Sequence, residues 1–305
     1  MFAATKEGLN PRGQEPLFLF IFFSFSAFLL IFVDIIQPMK KYILDMEVCH
    51  VEHPRDGYIV LRLRPREGVL PAMRAGQFVE VRVDGEPKTF LRRPISINFI
   101  NKETNELWLL LHAVGAGTRA LARLQVGDTL NIIAPLGNGF SRPGEQTEAA
   151  GSQSDPGMPY LLVGGGVGTA PLLELGKELK ESGYQPVFLL GGRSSADVLQ
   201  LELFRKYGEV YVTTEDGSLG ERGFVTQHSL WSQLRFAHVY TCGPKPMMVA
   251  VAKLTRELNM SCEASLENLM ACGLGACLCC VENTIDGNVC VCKEGPVFPV
   301  EKLNW

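Results

Sequence analysis

The sequence has little net charge and no long basic run. Lys and Arg number 29 against 33 Asp and Glu, for a formal net charge of −4. A general nucleic-acid binder needs a basic surface to meet phosphate, so the composition argues against that class. Internal repeats are absent. So is any A-x-A-like cleavage site after the one long apolar run, where Asp34, Ile35, Ile36, Gln37 and Pro38 follow instead. That argues against a secretory signal peptide. The mean hydropathy of +0.09 is far below that of a polytopic membrane protein. An apolar content of 46% in turn excludes wholesale disorder.

What is present is unevenly spread. The 305 residues are enough for two or three domains. Seven of the 17 Phe fall within residues 17–33 (LFLFIFFSFSAFLLIFV), and six of the nine Cys fall within residues 272–292. As a helix, the first stretch would reach roughly 25 Å, against about 30 Å for a bilayer core. Lys6 and Arg12 before it balance Lys40 and Lys41 after it, so its orientation is unreadable. Met39 opens MKKYILDMEV, which reads as the first strand of a soluble domain. Residues 1–38 are therefore expected to be an extension appended by an upstream start. A membrane anchor is the alternative and a buried helix the third reading. The protein is expected in the cytoplasm, with a membrane association only if residues 17–33 are retained.

Residues 39–140 alternate as short strands do. Stretches 58–63 and 78–83 switch between apolar and polar, and 94–99, 107–111 and 129–134 add further strands between Gly, Asn or Pro turns. With one helix at 118–124, this predicts a small antiparallel barrel. Residues 141–158 (SRPGEQTEAAGSQSDPGM) lose all apolar periodicity and read as a linker. From residue 159 to 259, strands at 160–165, 186–190, 209–213 and 237–241 alternate with helices at 171–182, 201–207 and 246–258, a parallel α/β pattern. Residues 260–305 hold the cysteines. The fold class is thus a β barrel plus an α/β lobe, with a small C-terminal domain.

The cysteines run Cys272-x4-Cys277-x2-Cys280, then eleven residues, then Cys292, with Cys279 and Cys290 interleaved. This is the plant-type spacing for a [2Fe–2S] cluster. Gly273 and Gly275 suit a loop that wraps a cluster, where unusual φ angles are needed. Six thiols this close fit disulfides poorly in a nucleotide-binding chain of cytosolic character. A zinc site remains the alternative, although zinc more often pairs two C-x2–4-C knuckles. Cys49, Cys242 and Cys262 read as small core residues.

Gly164, Gly165, Gly166, Gly168 and Thr169 lie in a turn that follows a strand and opens a helix. Glycines let a diphosphate approach the backbone where helix amides meet its charge. The run does not fit G-x-G-x-x-G, so it is not the usual dinucleotide fingerprint. Cys242, Gly243 and Pro244 end a later strand of the same sheet, where ligands gather in open α/β folds. A small residue and an exposed amide there could face a nicotinamide ring. In the barrel, Arg92 and Arg93 precede Pro94, Ile95 and Ser96, and Gly115-Ala116-Gly117-Thr118 opens a helix. Guanidinium groups hold phosphate bidentately, and a seryl hydroxyl can meet the edge of a flavin ring.

In this order the motifs LRRPISI, GGGVGTAPL, EDGSLGERGFVT, CGPKPMM, SLENLMACGLGACLCC and VCKEGPVF resemble the ferredoxin-reductase superfamily. Within it they resemble the electron-transfer subunits of NAD-dependent, type B dihydroorotate dehydrogenases. The resemblance covers Met39 to the C-terminus. It implies FAD contacts at Arg93, Pro94, Ile95, Ser96, Leu110, Leu111, His112, Gly117 and Thr118, and cluster ligands Cys272, Cys277, Cys280 and Cys292. It implies NAD as the second substrate, although Arg193 at the end of the second α/β strand could accept a 2′-phosphate. It also implies an FMN-containing catalytic partner, two of each subunit, acting in pyrimidine biosynthesis. The family has no apolar N-terminal extension. The competing readings are a subunit of another flavin and iron–sulfur NAD(P)H oxidoreductase (ferredoxin-, sulfide- or hydrogenase-linked) and a non-enzymatic zinc-bearing module.

Overall fold

A computed structural model describes residues 40–145 and 157–305. The expectations for residues 1–38, and for most of the linker, lie outside the described residues. The chain divides into the units Met1–Lys40 and Lys41–Trp305, and the second holds all of the described strands and helices.

Six strands close a barrel: β1 (Tyr42–Arg55), β2 (Tyr58–Pro65), β3 (Phe78–Val81), β4 (Arg93–Asn101), β5 (Glu106–His112) and β6 (Thr129–Leu136). Their spatial order is β1-β2-β5-β4-β3-β6, and β6 returns to β1 through pairs such as Tyr42 with Ala134. All the pairings are antiparallel. Alternation explains the core. Ile59, Leu61, Leu63, Val79, Val81, Leu107 and Leu109 point inward together. Tyr58 and Val60, on the outer face of β2, are buried against Leu110, Ala170 and Leu199, because the second lobe covers that face.

The second lobe is a seven-stranded sheet in the order β10-β9-β8-β7-β11-β12-β15. Its strands are β7 (Tyr160–Gly165), β8 (Pro186–Gly192), β9 (Glu209–Thr214), β10 (Glu221–Arg222), β11 (His238–Cys242), β12 (Cys262–Ser265) and β15 (Val297–Pro299). The strands β13 (Val281–Thr284) and β14 (Gly287–Cys290) form a separate hairpin. All six residues of β7 are buried, as befits a central parallel strand covered on both faces.

The fold class stands, and the structure differs from the expectations in detail. The sheet is not wholly parallel, because β15 runs antiparallel to β12 through Glu263–Pro299, Ala264–Phe298 and Ser265–Val297. Both strands come from residues 260–305, so a boundary at 260 cuts through the sheet. They are only four and three residues long, too short to show a period. The barrel helix spans Ala116–Leu121 rather than 118–124, and β3 ends at Val81 rather than at residue 83. The start of the linker is also held down: the Ser141 amide donates to Glu263 Oε2 at 3.0 Å, and the Tyr240 hydroxyl donates to the Ser141 carbonyl at 2.9 Å.

Buried polar contacts join the lobes. The Ile100 amide of β4 donates to Glu174 Oε2 at 2.8 Å, from the helix Ala170–Glu181. Lys177 Nζ, one turn on, donates to Glu174 Oε1 at 3.1 Å and to the Ile100 carbonyl. Burial pushes Glu174 up to about 7, against the pull of Lys177 and the Ile100 amide. A raised acid favours the protonated fold. Its contribution is complete below the ordinary value of 4.5 and is lost as pH rises through about 7. Lys177→Met would leave Glu174 without its buried partner. It is expected to cost about 3–5 kcal/mol, read as a lower denaturant midpoint with the m-value unchanged.

Candidate functional site

The cysteine loop is shaped by its backbone. Gly273 and Gly275 take φ of +66° and +82°, and Leu278 takes +57°. A Cβ on Gly273 would stand 2.6 Å from Glu80 Cγ, so the loop lies directly on β3 of the barrel. Amides turn toward sulfur: Leu274 N lies 3.3 Å from Cys272 Sγ, Gly275 N 3.1 Å from Cys292 Sγ, and Cys292 N 3.3 Å from Cys280 Sγ. Cys280 and Cys292 are buried, whereas Cys277 and Cys279 are exposed.

The sulfurs lie close enough to influence one another. Cys272 interacts with the Cys277 thiol, and Cys292 with Cys280. Burial opposes ionisation of Cys272, but the amides of Leu274, Cys277 and Ala276 and the Cys277 thiol outweigh it and bring it down to about 6. Burial and then Cys280 push Cys292 up to about 12. Among the described residues no three His, Cys, Asp or Glu side chains are set to hold a single metal ion. Four neighbouring thiols, with amides aimed at Cys272, Cys280 and Cys292, fit a cluster of two irons, which takes four thiolates. They fit a lone tetrahedral zinc less well. Gly275 ties Cys292 into the loop. The Cys290 amide instead donates to Glu294 Oε2, 2.8 Å away.

Beside this loop, β3 pairs with β4, and Glu80 stands opposite Pro94. The Glu80 carboxyl is fully buried, and neither of its oxygens has a hydrogen-bond partner. Burial pushes it up to about 7, against Arg92. The two arginines part company. Arg92 is committed to the carbonyls of Glu80 and Asn131, both at 3.1 Å, and to Asn131 Oδ1. Arg93 donates only to the nearby carbonyls of Leu91 and Arg92. Its Nε lies 2.7 Å from where a Cβ on Gly117 would be, so Arg93 covers the start of the helix Ala116–Leu121. Guanidinium and free helix amides at one place can hold a diphosphate. Pro94, Ile95 and Ser96 are half-buried on the same strand. Thr118 Oγ1 accepts from the Gly115 amide at 3.0 Å, which closes its own turn.

Leu110 and Leu111 point to opposite faces. Leu111 fills the barrel core and can offer a flavin only its backbone. Leu110 packs at the junction of the lobes with Tyr58 and Ala170. His112 stacks on Tyr58, with centroids 4.2 Å apart and planes 3° apart.

Tyr58 also lines a cleft of about 570 Å³, within the usual size for a cofactor site. Of the residues singled out in the glycine turn and the Cys242–Pro244 turn, Gly165, Gly166 and Pro244 line it. Gly164, Gly168, Thr169 and Gly243 shape the two turns that carry these residues. Thr169 Oγ1 donates to the Gly166 carbonyl at 2.9 Å. Gly164 packs on Leu172 and Thr169. A Cβ on Gly168 would come within 2.4 Å of Gly243 Cα, so the two turns touch backbone to backbone. Cys242 is buried between β7 and β12, away from the cleft, and burial pushes its thiol up. Thr213, Glu215, Phe224 and Met247 line the cleft as well. Thr213 and Glu215 lie at or just past the C-terminal end of β9, where ligands gather in such sheets, and that rule would have found them.

Residues 267–304 match the family described as the iron–sulfur cluster binding domain of dihydroorotate dehydrogenase B, and residues 162–253 match the oxidoreductase NAD-binding domain. The chain is 41% identical over 232 residues to the dihydroorotate dehydrogenase B (NAD(+)) electron transfer subunit of Shouchella clausii, covering 75% of this chain and 85% of that one. The subunit of the same name from Streptococcus pneumoniae is 41% identical over 234 residues, covering 75% and 87%. Among solved structures, a chain of the NADH-dependent reduced ferredoxin-NADP oxidoreductase superposes with a TM-score of 0.74 at 26% identity, covering 85% of this chain and 90% of that one. The ferredoxin reductase of carbazole 1,9a-dioxygenase, at 20% identity and a TM-score of 0.56, shares the fold.

Proposed function

The chain belongs to the family of electron-transfer subunits of dihydroorotate dehydrogenase B, and on that footing we propose that it relays electrons from dihydroorotate oxidation on a partner subunit to NAD⁺. This is an oxidoreductase subunit working with FAD, a [2Fe–2S] cluster and NAD, and its pathway is pyrimidine biosynthesis. A catalytic partner is implied by the family. We take it to carry FMN and to join this chain as two of each.

The observation that carries the reading is adjacency. Gly273 of the cysteine loop packs on Glu80, Glu80 pairs with Pro94, and Tyr58 bridges His112 to the cleft. A flavin held at Arg93, Pro94, Ile95 and Ser96 would therefore lie between cluster and dinucleotide. NADH exchanges a hydride while a [2Fe–2S] cluster passes single electrons, and FAD supplies the conversion between them. The protein's part is to fix the order. Cys272, Cys277, Cys280 and Cys292 would hold the cluster. Arg93, Gly117 and Thr118 would hold the FAD diphosphate, with the backbone of Leu110, Leu111 and His112 along its ring. The glycine turn would hold the dinucleotide diphosphate. We read the barrel as the FAD lobe, the sheet as the NAD lobe and the loop between β12 and β15 as the cluster arm. Leu274 and Leu278, 42% and 65% exposed on that arm, supply the apolar face on which we dock the partner.

We place the protein in the cytoplasm. All nine cysteines are free, in keeping with a reducing compartment, and among the described residues no helix is long and apolar enough to cross a membrane.

Arg93→Ala is expected to lower FAD retention through gel filtration at least about tenfold, and Arg93→Lys to restore it only partly. Affinity purification from the native host tests the whole reading. Recovery of an FMN protein that oxidises dihydroorotate supports it, and recovery of a hydrogenase or polysulfide-reducing partner instead overturns it.

A further inference from the structure

The cleft is longer than its glycine turn, and its outer half carries charges that the relay does not use. The sheet order puts β8 and β9 on the side of β7 away from β11. A dinucleotide whose diphosphate meets the turn after β7 and whose nicotinamide lies toward Pro244 must therefore send its adenosine toward the ends of β8 and β9. The loops there are tied together, with the Glu215 amide donating to the Gly192 carbonyl at 3.1 Å and the Asp216 amide to the Arg193 carbonyl at 3.2 Å.

Four polar side chains line the cleft at these strand ends, Arg193, Asp197, Thr213 and Glu215. Thr213 is 1% exposed and its hydroxyl has no hydrogen-bond partner, so a buried polar atom stands ready for a ligand hydroxyl. Glu215, two residues on, is exposed, and among the described residues its carboxylate enters no hydrogen bond or ion pair. Arg193 is 78% exposed, with one distant contact at 3.9 Å to Asp197. Asp197 itself is already committed to Arg55 and to the Ser194 amide at 3.0 Å. An unpaired carboxylate and a guanidinium held only by that long contact to Asp197 thus flank one ribose position.

Resting on the dinucleotide reading of the cleft, we infer that Glu215 selects the unphosphorylated dinucleotide: it accepts the adenosine ribose hydroxyls, and it repels a 2′-phosphate that Arg193 alone would attract. The ribose hydroxyl donates to a carboxylate, a charge-assisted bond. A 2′-phosphate brings two negative charges to the same place. Arg193 is then a latent phosphate site that Glu215 masks.

Calorimetric titration of the holoprotein with ADP-ribose and with 2′-phospho-ADP-ribose, neither of which carries a hydride, tests this without turnover. The wild type should prefer ADP-ribose. E215Q should tighten the phosphorylated ligand about tenfold relative to ADP-ribose, as expected for removing one charge opposite a phosphate. E215A should act in the same direction. Adding R193A to E215Q should abolish the gain. An unchanged ratio in both Glu215 variants would overturn the inference while leaving the cleft as the dinucleotide site. A wild type that binds neither ligand would overturn the cleft assignment and the inference with it.

Discussion

Cys272→Ser is expected to cut electron passage from the partner subunit to NAD⁺ by at least about 100-fold, the upper range for loss of even an outer-shell metal partner. Cys272 is the first sulfur of the loop, and the Leu274 amide, with those of Cys277 and Ala276, favours its thiolate. Without it the cluster should be missing from the purified protein. Reduction of an artificial dye by NADH, which needs only the cleft and the flavin, should survive within a few-fold. Cys290→Ser is the contrast. Its amide is bound to Glu294 and not to the loop, so this variant should keep the cluster. A full cluster in Cys272→Ser, or none in Cys290→Ser, would exchange the two assignments.

Gly168→Val should do the reverse. The added Cβ would lie 2.4 Å from Gly243 Cα and 2.6 Å from Gly243 N. Both are backbone atoms of the neighbouring turn, with no flexible side chain to give way. The turns must separate, at a cost of about 1–3 kcal/mol for overpacking. The larger effect is on geometry. Moving the diphosphate turn relative to Pro244 by about 1 Å should slow flavin reduction by NADH roughly 100-fold. Flavin and cluster absorbance should be unchanged, because neither Arg93 nor the cysteine loop touches this turn. Stopped-flow reduction of the holoprotein reads the rate, and a wild-type rate would show that the contact has no bearing on dinucleotide placement.

The parts of the site legible in the sequence are those whose chemistry is local. The Cys272–Cys280 spacing lies within nine residues of chain, and a strand followed by Gly164, Gly165 and Gly166 announces a phosphate turn without reference to any other segment. Barrel strands were readable because one face alternates, as in Ile59, Leu61 and Leu63. What stayed hidden depends on partners distant in sequence. β12 and β15 are too short for periodicity and become strands only by pairing with each other and with β11. Cys242 carried two readings, a small core residue and a neighbour of a ring beside Gly243 and Pro244, and only the register beside Gly164 and Ser265 shows that it is buried. Tyr58 read as an ordinary strand residue. Its stack on His112 and its place in the cleft exist only once β2 and β5 are adjacent and the second lobe covers them. Composition and spacing did not separate Arg92 from Arg93, which only the family resemblance singled out, and the structure parts them because Asn131 claims Arg92.

The central claim is that one chain holds a single-electron and a two-electron carrier in contact. Anaerobic reductive titration of the purified holoprotein, followed by visible absorbance, tests it most directly. The account predicts three electrons taken up per chain, two by the flavin and one by the cluster. Uptake of two electrons with flavin bleaching alone, or no visible absorbance with zinc bound, would contradict it.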